Sequence, residues 1–120
     1  MAGLIDTSIL AEGGPPAETT EEWFVSVISI GELEAGVLLA RNSRTRADRL
    51  ARVSAILSEA AVMPVDRAVA ARYAELRAAS RRRPHNDLWI AATALAHDLT
   101  LVTADEQQAA LPLVRATLLA

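Results

Sequence analysis

The sequence predicts a three-layer α/β/α domain with a central parallel sheet, and three observations carry that prediction. Short β-branched apolar runs recur along the chain, each bounded by Gly, Pro, Asp or Ser, as strands are. Between them lie longer segments whose apolar residues recur at helical spacing. The two kinds of segment alternate, which is the pattern of a parallel sheet covered on both faces. At 120 residues the chain suits a single domain, 1–120, with one continuous core.

"GLIDTSIL" opens with a strand ending near Ile5, after which Asp6, Thr7 and Ser8 supply cap-type residues for a helical turn. Glu12 to Glu22, "EGGPPAETTEE", is a loop by its Gly-Gly-Pro-Pro content. "WFVSVIS", Trp23 to Ser29, is aromatic and β-branched and predicts a central strand. "IGELEAGVLLA" follows as a helix with Ser29 as its N-cap. From about Thr45 the spacing of Leu50, Val53, Ile56 and Leu57 gives an amphipathic helix with arginines on its polar face. Ala61 to Val65 is a short strand, and Pro64 places it at a sheet edge or strand end. Asp66 caps a helix carrying Val69, Tyr73 and Leu76 on one face. After an Arg-rich loop, the Asp87 helix runs through "LWIAATALA", apolar nearly all round and so buried. "LTLV" is a strand, Glu106 to Ala110 a short helix or turn, and "LVRATLL" a last strand.

Composition removes several chemistries. Cysteine is absent, so disulfides, thiolate metal sites and Cys nucleophiles are excluded together. All twelve basic residues are Arg, and without Lys neither Schiff-base chemistry nor a P-loop phosphate grip is available. Apolar runs are broken well short of the roughly 18 residues a membrane span needs, and no basic n-region with an apolar core marks an export signal. The cytoplasm is the expected location. A net charge of -3 excludes a polycation that coats nucleic acid non-specifically. The arginines are nonetheless clustered, in "RNSRTRADRLAR" and in Arg81, Arg82 and Arg83. Solvated surface is one reading of both runs; phosphate contact, with Arg41, Arg44, Arg46, Arg81, Arg82 and Arg83 as candidates, is the other.

Four acids fall at one edge of the expected sheet. Asp6 follows the first strand, Glu32 lies in the first turn after the second, Asp87 opens its own helix and Asp105 follows "LTLV". In a parallel sheet these positions share the carboxyl end of the strands, where ligands bind. Helix capping offers each a local explanation. Ser29-Ile30-Gly31-Glu32 is a capping box in sequence, and Asp87 fits a first-turn acid with His85 or Asn86 as cap. Asp6 and Asp105 fit capping less easily, because a carboxylate directly after an apolar strand is desolvated unless bonded or neutralised. The alternative is a shared divalent ion, which relieves their mutual repulsion. Oxygen ligands without Cys suit Mg²⁺ or Mn²⁺, and such an ion can drive phosphodiester hydrolysis.

At these residues the chain resembles the PIN domain, and more narrowly the VapC-type toxins of bacterial toxin–antitoxin pairs. The resemblance lies in "LIDTSIL", "SVISIGELEAGV" and "HNDLWIAATALAHDLTLVTAD", in that order, and spans essentially the whole chain. It implies a magnesium-dependent endoribonuclease in which Asp6, Glu32, Asp87 and Asp105 form the acidic cluster. Asp6 and Asp87 are then the direct ligands, Glu32 and Asp105 act through water, and Thr7 and Thr103 orient Asp6 and Asp105. No side chain is the nucleophile in that scheme; water attacks and a carboxylate takes its proton. The resemblance also implies a homodimer and a cognate antitoxin whose side chain reaches the acidic site. Two departures stand out. The connection from the first strand to the Glu32 strand is short, without a clear intervening helix, and "EQQAAL" follows Asp105 where the family has Asp-Phe.

Other functions fit less well. A phosphorelay receiver and a haloacid-dehalogenase-type phosphatase both need a Lys, and the latter an Asp two residues after Asp6, where Ser8 stands. A non-catalytic PIN-like module that sequesters antitoxin or RNA is the remaining alternative. Glu34, Asp48, Glu59 and Glu75 fit solvated helix positions, Asp98 a turn, and His85 and His97 surface or capping roles. Trp23, Phe24 and Trp89 fit core or dimer contacts.

Overall fold

The computed structural model describes residues 2–14, 22–80 and 83–119. Among them, strands β1 (Gly3–Ile5), β2 (Trp23–Ser26), β3 (Ala61–Met63), β4 (Thr100–Thr103) and β5 (Ala116–Leu118) form one sheet in the order β3-β2-β1-β4-β5. Every pairing is parallel. The helices are α1 (Thr7–Leu10), α2 (Val27–Leu38), α3 (Ser43–Glu59), α4 (Arg67–Ala79), α5 (His85–Ala96) and α6 (Glu106–Ala109). None is long and apolar enough to cross a membrane.

Because successive strand residues point to opposite faces, Leu4 and Ile5 of β1 enter different cores. Leu4 packs with Val69 and Leu76 of α4 and with Leu88, Ile90 and Ala91 of α5. Ile5 packs with Ile9 and Leu10 of α1, Val25 of β2, Ile30 of α2 and Ile56 of α3. Helices therefore cover both faces, as the alternating sequence pattern predicts. The all-round apolar character of α5 has the expected consequence, with Leu88, Ala91, Ala92 and Ala94 fully buried. Pro64 follows β3, which lies at the sheet edge, and Asp66 caps α4 by accepting a bond from the Val69 amide at 3.0 Å.

Several boundaries move. The strand expected over Trp23–Ser29 ends at Ser26, and α2 begins at Val27. Ser26 is the N-cap, accepting from the Ile28 amide at 3.1 Å. Side-chain capping by Ser26 together with burial of Ser29 and Ile30 on one helical face outweighs the β propensity of Val27-Ile28. The expected Ser29 cap and its box with Glu32 do not form, because Ser29 is inside the helix. α5 is preceded by Pro84, not capped by His85 or Asn86, and has no side-chain cap bond. The last strand shortens to Ala116–Leu118, since Leu113 adopts a positive φ of 71°. On α3, Val53 and Ile56 are buried while Leu50 and Leu57 are exposed. Asp98 closes its turn with a φ of 54°. The Gly-Gly-Pro-Pro loop lies mostly outside the described residues, as do Arg81 and Arg82.

Candidate active site

From β1 the chain adds β2 and then β3 on one side, and later β4 and β5 on the other. The switch point is the gap between β1 and β4, and the crevice beyond their carboxyl ends is the expected ligand site. Asp6 immediately follows β1, its amide bonded to Val102 O of β4 at 2.9 Å. Asp105 comes just after β4. The two strand-end acids thus flank the switch point.

Asp6 and Asp105, for which the sequence favours capping less, are N-caps; Asp87 keeps its expected first-turn place, and Glu32 is the acid that capping does not explain. Asp6 is the N-cap of α1, its Oδ2 accepting from the Ser8 amide at 3.0 Å. Asp105 is the N-cap of α6, accepting from the amides of Gln107 at 2.9 Å and Gln108 at 3.3 Å. Glu32 lies in the second turn of α2, where no orphan amide is within its reach. Its Oε1 instead accepts from Thr7 Oγ1 at 2.7 Å, and its Oε2 from Asn86 Nδ2 at 3.4 Å. Asp87 sits in the first turn of α5, and its Oδ2 accepts from Arg83 Nη2 at 2.6 Å.

These bonds tie the acids into one group. Thr7 is adjacent to Asp6 and holds Glu32; Asn86 is adjacent to Asp87 and also holds Glu32. Arg83 Nη2 lies 3.5 Å from Asp105 Oδ2 as well as 2.6 Å from Asp87, so one guanidinium spans two carboxylates. Thr103, fully buried, places its Oγ1 3.3 Å from Asp6 Oδ2, and that oxygen accepts from the Asp105 amide at 3.1 Å. Both threonines contact acids in other pairings than expected: Thr7 reaches Glu32 instead of Asp6, and the Thr103 hydroxyl reaches the Asp6 carboxylate while meeting Asp105 at its backbone amide.

The charges also register one another. Burial raises the Asp87 carboxyl above its ordinary value; the Arg83 guanidinium opposes that rise, and the negative charges of Asp6 and Asp105 add to it. Three acids from separate elements thus share one field. Buried Arg83 Nε has no hydrogen-bond partner, so the guanidinium neutralises the acids without being fully satisfied itself.

The donor set fits a hard divalent cation, being all oxygen, anionic and set at a crevice. Among the described residues no group of three or more acidic or His side chains closes on a single point.

A residue that sequence reasoning passed over completes the site. Gln108 is 1% exposed; its Oε1 accepts from Thr103 Oγ1 at 2.7 Å, and its Nε2 donates to Asp87 O at 3.4 Å. Gln107 Oε1 accepts from Arg83. The "EQQAAL" departure therefore supplies amides that brace Asp87, Thr103 and Arg83. Its signal in the sequence was a pair of glutamines one turn after an acid, which is indistinguishable from a surface helix.

The arginines divide. Arg41 and Arg44 are exposed. Arg46 donates to Val37 O and Ala40 O, both at 3.4 Å, at the carbonyl end of α2, where positive charge is favourable. Arg83 belongs to the acid group. His85 Nδ1 lies 2.6 Å from Tyr73 Oη, and Trp89 stacks on Tyr73 with ring centroids 3.8 Å apart, joining α4 to α5.

A parallel α/β sandwich with carboxylates gathered at the sheet's switch point is the arrangement of a PIN domain, and the chain belongs to that family, whose model matches residues 4–113. It is 42% identical over 95 residues to Ribonuclease VapC4 of Mycobacterium tuberculosis, covering 76% of this chain and 72% of that protein. Ribonuclease VapC5 of the same organism is 37% identical over 119 residues, covering 92% and 87%. Toxin FitB of Neisseria gonorrhoeae is 31% identical over 120 residues, covering 85% and 86%. Among solved structures, VapBC-5 of M. tuberculosis, from the VapBC family of toxin–antitoxin systems, superposes with a TM-score of 0.81 at 34% identity over 98% of both chains.

Proposed function

We propose that this chain is a Mg²⁺- or Mn²⁺-dependent endoribonuclease, the toxin of a toxin–antitoxin pair, with Asp6, Glu32, Asp87 and Asp105 as its acidic cluster. The observation that carries the reading is the bonded group of acids, in which Arg83 spans Asp87 and Asp105 while Thr7 and Asn86 hold Glu32. The relatives named as ribonucleases and the likeness to VapBC-5 support both the activity and an antitoxin partner.

A bound divalent ion would supply Lewis acidity to the phosphate and to the attacking water. Asp6, the N-cap of α1, and Asp87, in the first turn of α5, would hold it. Glu32, steadied by Thr7 and Asn86, is placed to orient water and accept its proton. Asp105 is held by the α6 amides through Oδ1, leaving Oδ2 toward Arg83. Leu38 and Leu39, each 77% exposed, give the toxin apolar surface for its antitoxin or for a second copy in a homodimer.

The test is cleavage of a structured RNA with Mg²⁺, with EDTA, and by Asp6→Asn. Asn caps α1 as well as Asp does, so the variant keeps its melting temperature and loses cleavage by at least about a hundredfold. Unchanged cleavage by Asp6→Asn removes the proposed site. RNA binding without cleavage in the parent protein would instead establish the sequestering module.

A further inference from the structure

A cavity of about 420 Å³ opens beside the acids. Thr7 and Glu32 line it, so it is continuous with the acidic group, and the rest of its wall includes Gly36, Arg49 and Arg52. The two arginines come from α3, one turn apart, and are fixed by backbone carbonyls. Arg49 Nη1 donates to Gly36 O at 2.6 Å, and Arg52 Nη1 donates to Ala11 O. Each guanidinium carries five N–H donors, so one carbonyl contact fixes its place while leaving donors for a ligand. Beyond Glu32, these are the charged groups lining the cavity among the described residues.

We infer that this cavity seats the RNA nucleotide next to the scissile phosphate, with Arg49 and Arg52 binding its backbone phosphate. The inference rests on the ribonuclease reading and adds to it a subsite. Three features favour a nucleic-acid strand. The volume lies in the range of small-molecule pockets, roughly 300–1,000 Å³. Arginine forks match phosphate oxygens in geometry and charge. An acidic centre that must admit a polyanion also needs cations beside it, and here they are already anchored. Gly36 also lines the cavity, and a Cβ there meets nothing within 4 Å, so a side chain can be added at its wall without a clash.

The test uses a fluorescein-labelled single-stranded oligoribonucleotide of about twelve nucleotides, read by anisotropy on an Asp6→Asn background and by cleavage on the parent. Arg49→Gln with Arg52→Gln is expected to weaken binding by roughly tenfold or more and to reduce the slope of log affinity against log salt by about 0.7, one phosphate on a single strand. In cleavage, KM rises and kcat stays within about twofold. Gly36→Leu removes no charge and improves helix propensity, so it keeps the melting temperature while blocking binding. Parent-like affinity in Gly36→Leu overturns the inference, even if the arginine variant is weakened by loss of folding. Parent-like affinity in both leaves the cavity to a peptide partner and also overturns it. Failure of the parent to cleave any RNA would sink the ribonuclease reading, a separate result from either of these.

Discussion

Thr7 Oγ1 reaches Glu32 Oε1 at 2.7 Å, and that contact decides what the glutamate is for. A capping glutamate turns back to its own helix end, whereas this one is held by a residue of another helix. Glu32→Gln is therefore expected to change stability by less than about 0.5 kcal/mol, as at a surface position, and to abolish RNA cleavage. Thermal melting and cleavage on one preparation separate the two, and loss of stability with retained cleavage would restore the cap. Asp87 carries a pH signature. Its folded value lies above its unfolded one, so the folded state binds the extra proton in the window between them. Metal-free stability contributed by this group is present below the unfolded value and is lost as pH rises through the folded one. Melting of the EDTA-treated protein across that range should show the fall, and Asp87→Asn should flatten it. Equal pH profiles for the two would contradict the shared field.

Among the elements, those set by strong local chemistry were legible in the sequence. Asp66 announces α4, Pro64 the end of an edge strand, and the apolar run of Leu88 to Ala94 a buried helix. Less legible were the features that tertiary contacts decide. Ser26 and Ser29 are equally good caps by type, and the burial of Ser29 and Ile30 on the inner face of α2 selects Ser26. Ser26→Ala should cost about 1 kcal/mol in denaturant unfolding, while an effect near zero would return the helix start to Ser29. Gln108 was invisible because nothing local marks a buried amide. Its two bonds join α6 to β4 and α5. Gln108→Ala removes the 2.7 Å acceptor of the Thr103 hydroxyl and a side-chain donor to Asp87 O, at about 1–3 kcal/mol, and lowers cleavage through Asp87. Full activity with parent stability would mean the bracing is idle.

For the molecule as a whole, the parallel sheet brings Asp6 and Asp105 to one edge, because β1 and β4 run the same way and each acid lies within two residues of its strand's end. Sequence order alone placed Asp6, Glu32, Asp87 and Asp105 there; it did not show that Arg83 already spans Asp87 and Asp105. The last arginine of the run Arg81, Arg82 and Arg83 carries no mark of inward pointing in the sequence. Any ion that enters must displace or share that guanidinium, and binding it preferentially to the folded chain raises stability by about 2.7 kcal/mol at a hundredfold excess over Kd. The most direct measurement is calorimetric titration of Mn²⁺ into the parent protein and into Asp6→Asn and Asp87→Asn. Saturable binding in the parent that both substitutions weaken or abolish is the expected result. Binding of equal strength in all three, or none in the parent, would contradict an ion held between these carboxylates.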